Sequence, residues 1–285
     1  MSETAVLEPF PPPSVGAASP PASPSDQLWR RFGTSPEDAA NNLVQDHLNE
    51  NEKAALLQGY GWNGYTQMTG HYTGNVRGIP RLGIPSIIMQ DAAQGFRTVP
   101  GDIVGKVTSF PSALAAAASW DRDLVRRYAH TIGQEFRAKG ANVILGPSVN
   151  VHRIPRGGRN AEYLSGEDPY LGAVLTSAYV EGVQSAGVAA CPKHFVLNSQ
   201  EMNRKSQSSD AGDRTLWEVY YTPFQAAIDA GAASMMCGYN RINGSFACGG
   251  DDGRILNEHL RTRMGFRGFV MSDCEYLRLL QPYLP

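Results

Sequence analysis

Six short runs of almost purely apolar residues punctuate the chain: "IPSIIMQD" (84–91), "SFPSALAAAAS" (109–119), "ANVILGPSVN" (141–150), "GVAACPKHF" (187–195), "ASMMCGYN" (233–240) and "GFVMSD" (268–273). They do not alternate with polar residues, so they read as parallel strands covered on both faces. Segments of helical period separate them. "DRDLVRRYAHTIGQEFRAKG" (121–140) sets Leu124, Tyr128, Ile132 and Phe136 on one stripe and ends at Gly140, a natural C-cap. "PYLGAVLTSAYVEGVQSAG" runs from Pro169 to Gly187. "TLWEVYYTPFQAAIDAG" has Thr215 and Glu218 in capping-box spacing and stops at Gly231, and Pro223 should kink or divide it. "NEHLRTRMG" ends at Gly265. Upstream, "SPEDAANNLVQDHLNENEKAALLQG" (35–59) reads as one helix with Ser35 as N-cap and Pro36 in its first turn. The aperiodic, Gly/Tyr-rich stretch 59–78 reads as loop.

Strands alternating with helices mean a parallel sheet, either doubly wound or closed into a barrel. The polar residues decide between them. Strand after strand ends in groups capable of chemistry: Asp91, Lys193 with His194, Tyr239 with Asn240, and Asp273. Sites at the C-terminal ends of many strands belong to (β/α)8 barrels. A doubly wound fold gathers its site at one switch point, often on a glycine-rich loop, and no GxGxxG follows the first strand here. The expectation is an α/β fold of the (β/α)8 TIM-like barrel type. It is incomplete at the C-terminus, because six strands, or seven if one hides in 59–78, do not reach the eight that closure needs.

Composition narrows the chemistry. A formal net charge of −2 argues against nucleic acid or an anionic membrane as partner. No apolar run approaches the ~20 residues of a spanning helix. Residues 1–27 are rich in Pro, Ser and Ala, have no apolar core of signal-peptide type, and read as a disordered leader; residues 28–285 form the folded part. The compartment is left open. The four cysteines form no CxxC and the six histidines no HExxH, so neither a metal nor another cofactor is expected. Cys237 and Cys248 flank "GYNRINGSFA" and are either one local disulfide or two thiols.

Taken singly, the strand-end residues have ordinary readings. Asp273 suits a helix cap, Asp91 suits pairing with Arg97, Arg159 suits pairing with Glu162, Glu167 and Asp168 suit the cap of the helix at Pro169, and His194 suits a core histidine. Lys193 is harder to dismiss, since an unpaired charge at the end of a buried strand is costly. Together they place two carboxylates, an arginine, a Lys–His pair and a tyrosine on one rim. That mixture suits a polyhydroxylated ligand, whose hydroxyls both donate to carboxylates and accept from cations. A phosphate pocket would favour cations and backbone amides without the acids. A Schiff-base aldolase built on Lys193 would leave Asp91, Arg159 and Asp273 without roles.

"MQDAAQGFR", "GGRNAEYLSGEDP", "CPKHFVLNSQE", "MCGYNRING" and "GFRGFVMSDC" resemble the successive motifs of glycoside hydrolase family 3, in the family's order and near its spacing, over about residues 45–276. The family includes β-glucosidases, β-xylosidases and related exo-acting enzymes. "QGFRTVPGD", "TSFPSALAAAASWDRDL" and "GGRN" are similar to its fungal-type β-glucosidase branch. The resemblance implies that Asp273 is the catalytic nucleophile of a retaining enzyme. It implies that Asp91, Arg159, Lys193 and His194 bind the sugar and that Tyr239 lies beside the nucleophile, while nearby Arg and Lys keep Asp273 charged. It lends support to a Cys237–Cys248 disulfide.

Two departures stand out. The family's usual acid/base is a Glu on a C-terminal sandwich domain, which would lie beyond Pro285. The β-N-acetylhexosaminidase alternative, a His–Asp pair after the "KHF" strand, needs a second histidine that "KHFVLNSQEMNRKSQSSDAGD" lacks. Cys274 stands where the family's Trp forms a wall beside the sugar, which implies a weaker or wider leaving-group side. The expected function is release of terminal non-reducing β-D-glucosyl or similar residues from a glucoside or oligosaccharide, with a degenerate, non-catalytic sugar-binding protein as the alternative.

Overall fold

A computed structural model describes residues 29–60, 72–91, 93–98, 104–250 and 253–273. The leader, residues 61–71 of the Gly/Tyr-rich stretch, and Cys274 with the tail after it lie outside the described residues. Backbone contacts divide the chain into two compact units: 1–54 with 79–84, and 55–78 with 85–285.

In the first unit, helix α1 (Pro36–Asn42) opens as expected: the Ser35 hydroxyl accepts from the Asp38 N–H, and Pro36 sits in the first turn. The single helix expected over 35–59 is divided. After a π-helical turn, Leu43–His47, Leu48 turns extended and helix α2 (Glu50–Leu57) begins. The cause is a capping box legible in "NENE": Asn49 Oδ1 accepts from the Glu52 N–H, and Glu52 returns a bond to the Asn49 N–H, both at 3.0 Å. Arg81, in the 3-10 turn Pro80–Leu82, clasps Glu52 at 2.7 Å and the His47 carbonyl at 2.6 Å.

The second unit is built on parallel strands in chain order. Strands β1 (Gly59–Tyr60) and β2 (Gly74–Val76) form an antiparallel edge within the stretch expected as loop. Strand β2 pairs antiparallel with β3 (Ile87–Gln90); β3, β4 (Val143–Ile144) and β5 (Ala189–Ala190) then pair in parallel. Strand β7 (Ser234–Met236) pairs in parallel with β10 (Phe269–Met271). The two parallel groups are linked by a Phe195–Cys237 bridge, with the Phe195 N–H donating to the Met236 carbonyl at 2.7 Å. Strands β6 (Ser208–Ser209), β8 (Arg241–Ile242) and β9 (Ser245–Phe246) make a small side sheet, with β8 and β9 turning on Asn243–Gly244, both at positive φ. A Cys237–Cys248 disulfide spans the base of that hairpin.

Five of the six apolar runs contain these parallel strands. The sixth does not: 109–119 holds helix α3 (Ala113–Ala117), whose N-cap Ser112 accepts from the Ala115 N–H. An alanine run has the highest helix propensity and too little side chain to fill a sheet face. Helix α4 (Arg122–Ala138) follows, its buried stripe being Val125, Ala129, Ile132 and Phe136. Leu124 is 41% exposed, so the expected stripe is turned by one residue at its start. Helix α5 (Pro169–Ser185) packs against α4 through glycines: a Cβ at Gly133 would stand 2.8 Å from Ala186 Cβ, and one at Gly182 2.9 Å from Ala129 Cβ.

Helix α6 (Asp213–Thr215) begins before Thr215, which therefore caps nothing; Glu218 pairs with Arg214 at 2.8 Å instead. Pro223 does divide this helical stretch, standing in the first turn of α7 (Thr222–Asp229) after a π-helical run, Leu216–Tyr220. A further π-helical segment, Arg254–Arg263, leads to Gly265 and β10. Each pair of neighbouring parallel strands is thus joined through helix. Met89, Val143, Cys191 and Met236 pack together on one face of the strands; Ile144 and Ala190 face α4 and α5, and Met235 packs with Phe195, Phe224 and Phe266. Both faces are apolar because both are covered.

Candidate active site

Every sequence-selected site residue emerges at the same end of the parallel strands. Asp91 immediately follows β3, and a tight turn returns Arg97 to it: the Arg97 N–H donates to the Asp91 carbonyl at 2.6 Å, and Nη1 stands 3.0 Å from Asp91 Oδ2. Gln90 holds this turn through its side-chain amide, and the Tyr179 hydroxyl of α5 donates to the Ala93 carbonyl. Arg159 and Glu162 lie on the loop after β4. Lys193 and His194 continue β5, held against the extension of β4: the Val149 N–H donates to the Lys193 carbonyl, and the Lys193 N–H to the Pro147 carbonyl, both at 2.9 Å. Tyr239 follows β7 and Asp273 follows β10.

These residues line one cavity of about 300 Å³ floored by Leu145 and Met236. Its charges balance: Asp91, Glu162, Glu201 and Asp273 against Arg97, Arg159, Lys193 and Arg204. Lys193 Nζ donates to Asp91 Oδ1 at 2.7 Å and stands 3.4 Å from Glu162 Oε1. Arg159 grips Glu162 with two bonds, Nε to Oε2 at 2.7 Å and Nη2 to Oε1 at 2.8 Å, and reaches toward Glu201 at 3.8 Å. Arg204 pairs with Glu201 at 3.2 Å and lies over the Tyr239 ring, 4.3 Å from its centroid. The ordinary readings of several residues therefore hold beside the collective one: Asp91 pairs with Arg97, Arg159 with Glu162, and Asp168 caps α5.

The network sets protonation states. Burial pushes the Glu162 carboxyl up, but Lys193 and Arg159 beside it outweigh that and hold it far below the usual carboxylate range. Burial pushes the Lys193 ammonium down, yet Asp91 and Glu162 keep it above its ordinary value. An amine held protonated is no Schiff-base nucleophile. His194 goes the other way: burial, then the Arg159 and Lys193 cations, drive its pKa well below the ordinary value, so the ring is neutral. Its Nε2 stands 3.3 Å from Asp273 Oδ2, and its Nδ1 2.8 Å from the Tyr163 hydroxyl.

Sequence reasoning passed over Glu201, Arg204 and Tyr163. "QEMNR" does carry a signal, since Glu201 and Arg204 are spaced for an i,i+3 ion pair, but that pair becomes a cavity wall only once the loop folds back over Arg159 and Tyr239. The residue order marks Arg97 and Glu162 only as counterions.

The family model of the glycosyl hydrolase family 3 N terminal domain matches residues 40–281. The chain is 40% identical over 270 residues to a probable beta-glucosidase M of Neosartorya fischeri, covering 90% of this chain and 33% of that protein. It is 45% identical over 198 residues to a beta-glucosidase of Rhizobium radiobacter, covering 68% and 24%. Among solved structures, beta-glucosidase 3B of Thermotoga neapolitana in complex with α-D-glucose superposes with TM-score 0.75 at 36% identity, covering 81% of this chain and 33% of that one. The beta-D-glucoside glucohydrolase of Trichoderma reesei gives the same TM-score and identity, covering 90% and 33%. The chain spans about a third of the length of the Neosartorya and Trichoderma relatives, 33% of each.

Proposed function

The chain belongs to glycosyl hydrolase family 3, and from that premise we propose that it carries the nucleophile and sugar-binding half of an exo-acting retaining β-glucosidase. The observation that carries the reading is Asp273: a carboxylate ending a parallel strand, 3.3 Å from a buried neutral imidazole, in a cavity with four cations matched by four carboxylates. A charge-balanced site suits a neutral polyol, and a volume of about 300 Å³, at the small end of ligand cavities, suits one sugar ring. The curated relatives named above are beta-glucosidases, which favours glucose.

In this reading the Asp91–Lys193–Glu162–Arg159 network grips the ring hydroxyls, and Asp273 attacks the anomeric carbon. The C–O bond to the leaving group breaks, a glycosyl ester forms on Asp273, and water then hydrolyses it. A second carboxyl must protonate the leaving oxygen. Glu162 cannot, because it is held ionised between two cations, and Glu201 is engaged by two arginines. We assign the acid/base to a C-terminal domain of the whole protein, a view supported by relatives about three times as long as the matched region. The barrel belongs to this proposal too: five parallel strands in chain order, joined through helices, with side chains meeting on an inner face, are the beginnings of a (β/α)8 closure, with the antiparallel β1 and β2 at one edge.

The test is a burst assay with an activated aryl β-glucoside, whose leaving group needs little acid assistance. We expect one equivalent of phenol released, with glucose recovered as an ester on the peptide containing Asp273, and no burst from Asp273→Asn. Sugar binding without a burst from folded protein would establish the degenerate, non-catalytic alternative.

A further inference from the structure

Behind Asp273 lies a buried chain of three side chains. Tyr163, His194 and Asp273 are 2%, 1% and 8% exposed. The Tyr163 hydroxyl is 2.8 Å from His194 Nδ1, and His194 Nε2 is 3.3 Å from Asp273 Oδ2. Asn150 fixes the histidine backbone from both sides, accepting from its N–H at 2.7 Å and donating to its carbonyl at 2.9 Å. Tyr163 is held in turn: the Leu164 N–H donates to the Ser148 carbonyl at 3.0 Å, and the His152 ring stands edge-on to the phenol at 5.5 Å.

A neutral imidazole carries its proton on one nitrogen only. With the proton on Nδ1, the phenol would become the acceptor and, among the described residues, its own proton would have no acceptor. The bare Nε2 lone pair would then face the Asp273 carboxylate. With the proton on Nε2, the phenol donates to Nδ1, and the nitrogen that stands 3.3 Å from the buried Asp273 Oδ2 carries a proton; no hydrogen bond joins these two atoms, but a protonated Nε2 is the neighbour that oxygen tolerates and a bare lone pair is not. Burial pushes the Tyr163 phenol up, so it keeps the proton that it donates.

We infer that Tyr163 is a positioning residue, fixing His194 as the Nε2–H tautomer so that the imidazole presents a donor, not an acceptor, to Asp273 and to the cavity. The catalytic side of this inference rests on reading Asp273 as the nucleophile; the tautomer itself does not. A protonated Nε2 beside the carboxylate is electrostatically favourable and is ready for a sugar hydroxyl, whereas a lone pair there would repel the carboxylate.

Selective ¹⁵N-histidine labelling of the full chain, read by long-range ¹H–¹⁵N correlation at neutral pH, tests it, with His194 assigned by the signals lost in His194→Gln. The expected spectrum has a pyridine-type Nδ1 and a pyrrole-type Nε2. Tyr163→Phe keeps the ring and removes the hydroxyl. It should convert His194 to a mixture of tautomers and slow the burst by about three- to tenfold, the scale of one neutral hydrogen bond. A wild-type His194 protonated on Nδ1 overturns the inference, and so does a Tyr163→Phe spectrum identical to wild type. The wild-type spectrum needs no variant, so a Tyr163→Phe chain that fails to fold leaves that arm decisive. The expected nitrogen pattern without any wild-type burst overturns the glycosidase reading and leaves the tautomer standing.

Discussion

Replacing Glu162 by Gln isolates the electrostatics of the cavity. The substitution is isosteric, so packing is kept and one negative charge is lost. The carboxylate is largely buried, with its side chain 16% exposed, and it takes two bonds from Arg159 and faces Lys193 at 3.4 Å. Breaking a buried ion pair by removing one partner costs roughly 3–5 kcal/mol. Each cation retains another carboxylate here, Lys193 having Asp91 at 2.7 Å and Arg159 having Glu201 at 3.8 Å. That places the expected loss at the lower end, about 3 kcal/mol at neutral pH. Urea denaturation should show it as a midpoint lower by about 1 M for a slope near 3 kcal/mol/M. The difference must also depend on pH with a definite sign. The Glu162 pKa is depressed in the folded state, so its stabilisation is fully present above the unfolded glutamate value of about 4.3 and is lost as pH falls below it. Wild type and Glu162→Gln should therefore differ by a constant amount from pH 6 to 8 and converge in acid. A loss under ~1 kcal/mol at pH 7, or a gap that persists unchanged in acid, would refute the placement of Glu162 as the shared counterion of Arg159 and Lys193.

Other measurements probe separate parts of the molecule. His194 is buried with a depressed pKa, so below about pH 6.5 the unfolded chain binds a proton that the fold refuses; stability should fall by up to ~1.4 kcal/mol per pH unit from this group, and a flat urea midpoint between pH 7 and 5.5 would contradict it. Thiol counting on denatured, unreduced protein should find two of the four cysteines, since 4 − 2 are left by the Cys237–Cys248 disulfide, and opening that bond should cost roughly 3 kcal/mol for a loop of this size. Finding four thiols would remove the disulfide. On α4, Ile132→Ala should cost about 2–5 kcal/mol and Leu124→Ala within about 0.5, which equal losses at the two sites would exclude.

Much of this protein is legible in its residue order because local rules govern it. Apolar runs without alternation foretold strands covered on both faces, and Ser35, Asp168, Gly140, Gly187 and Gly265 mark helix ends through capping and left-handed backbone. Propensity, overridden by reading an apolar run as strand, was the better guide at 109–119, where alanines make a helix. The division of 35–59 is also legible, in Asn49 and Glu52, although apolar spacing alone looks continuous there. What the tertiary structure alone decided is partnership. Asp91 and Lys193 are 102 residues apart in the chain and 2.7 Å apart in space. Whether Glu162 serves Arg159 alone or Lys193 as well, whether Arg204 faces solvent or the Tyr239 ring, and which nitrogen of His194 faces Asp273 all depend on how successive strand ends converge. Strand and helix follow from forces between near neighbours, whereas charge state and tautomer follow from burial and from groups brought together across the sheet.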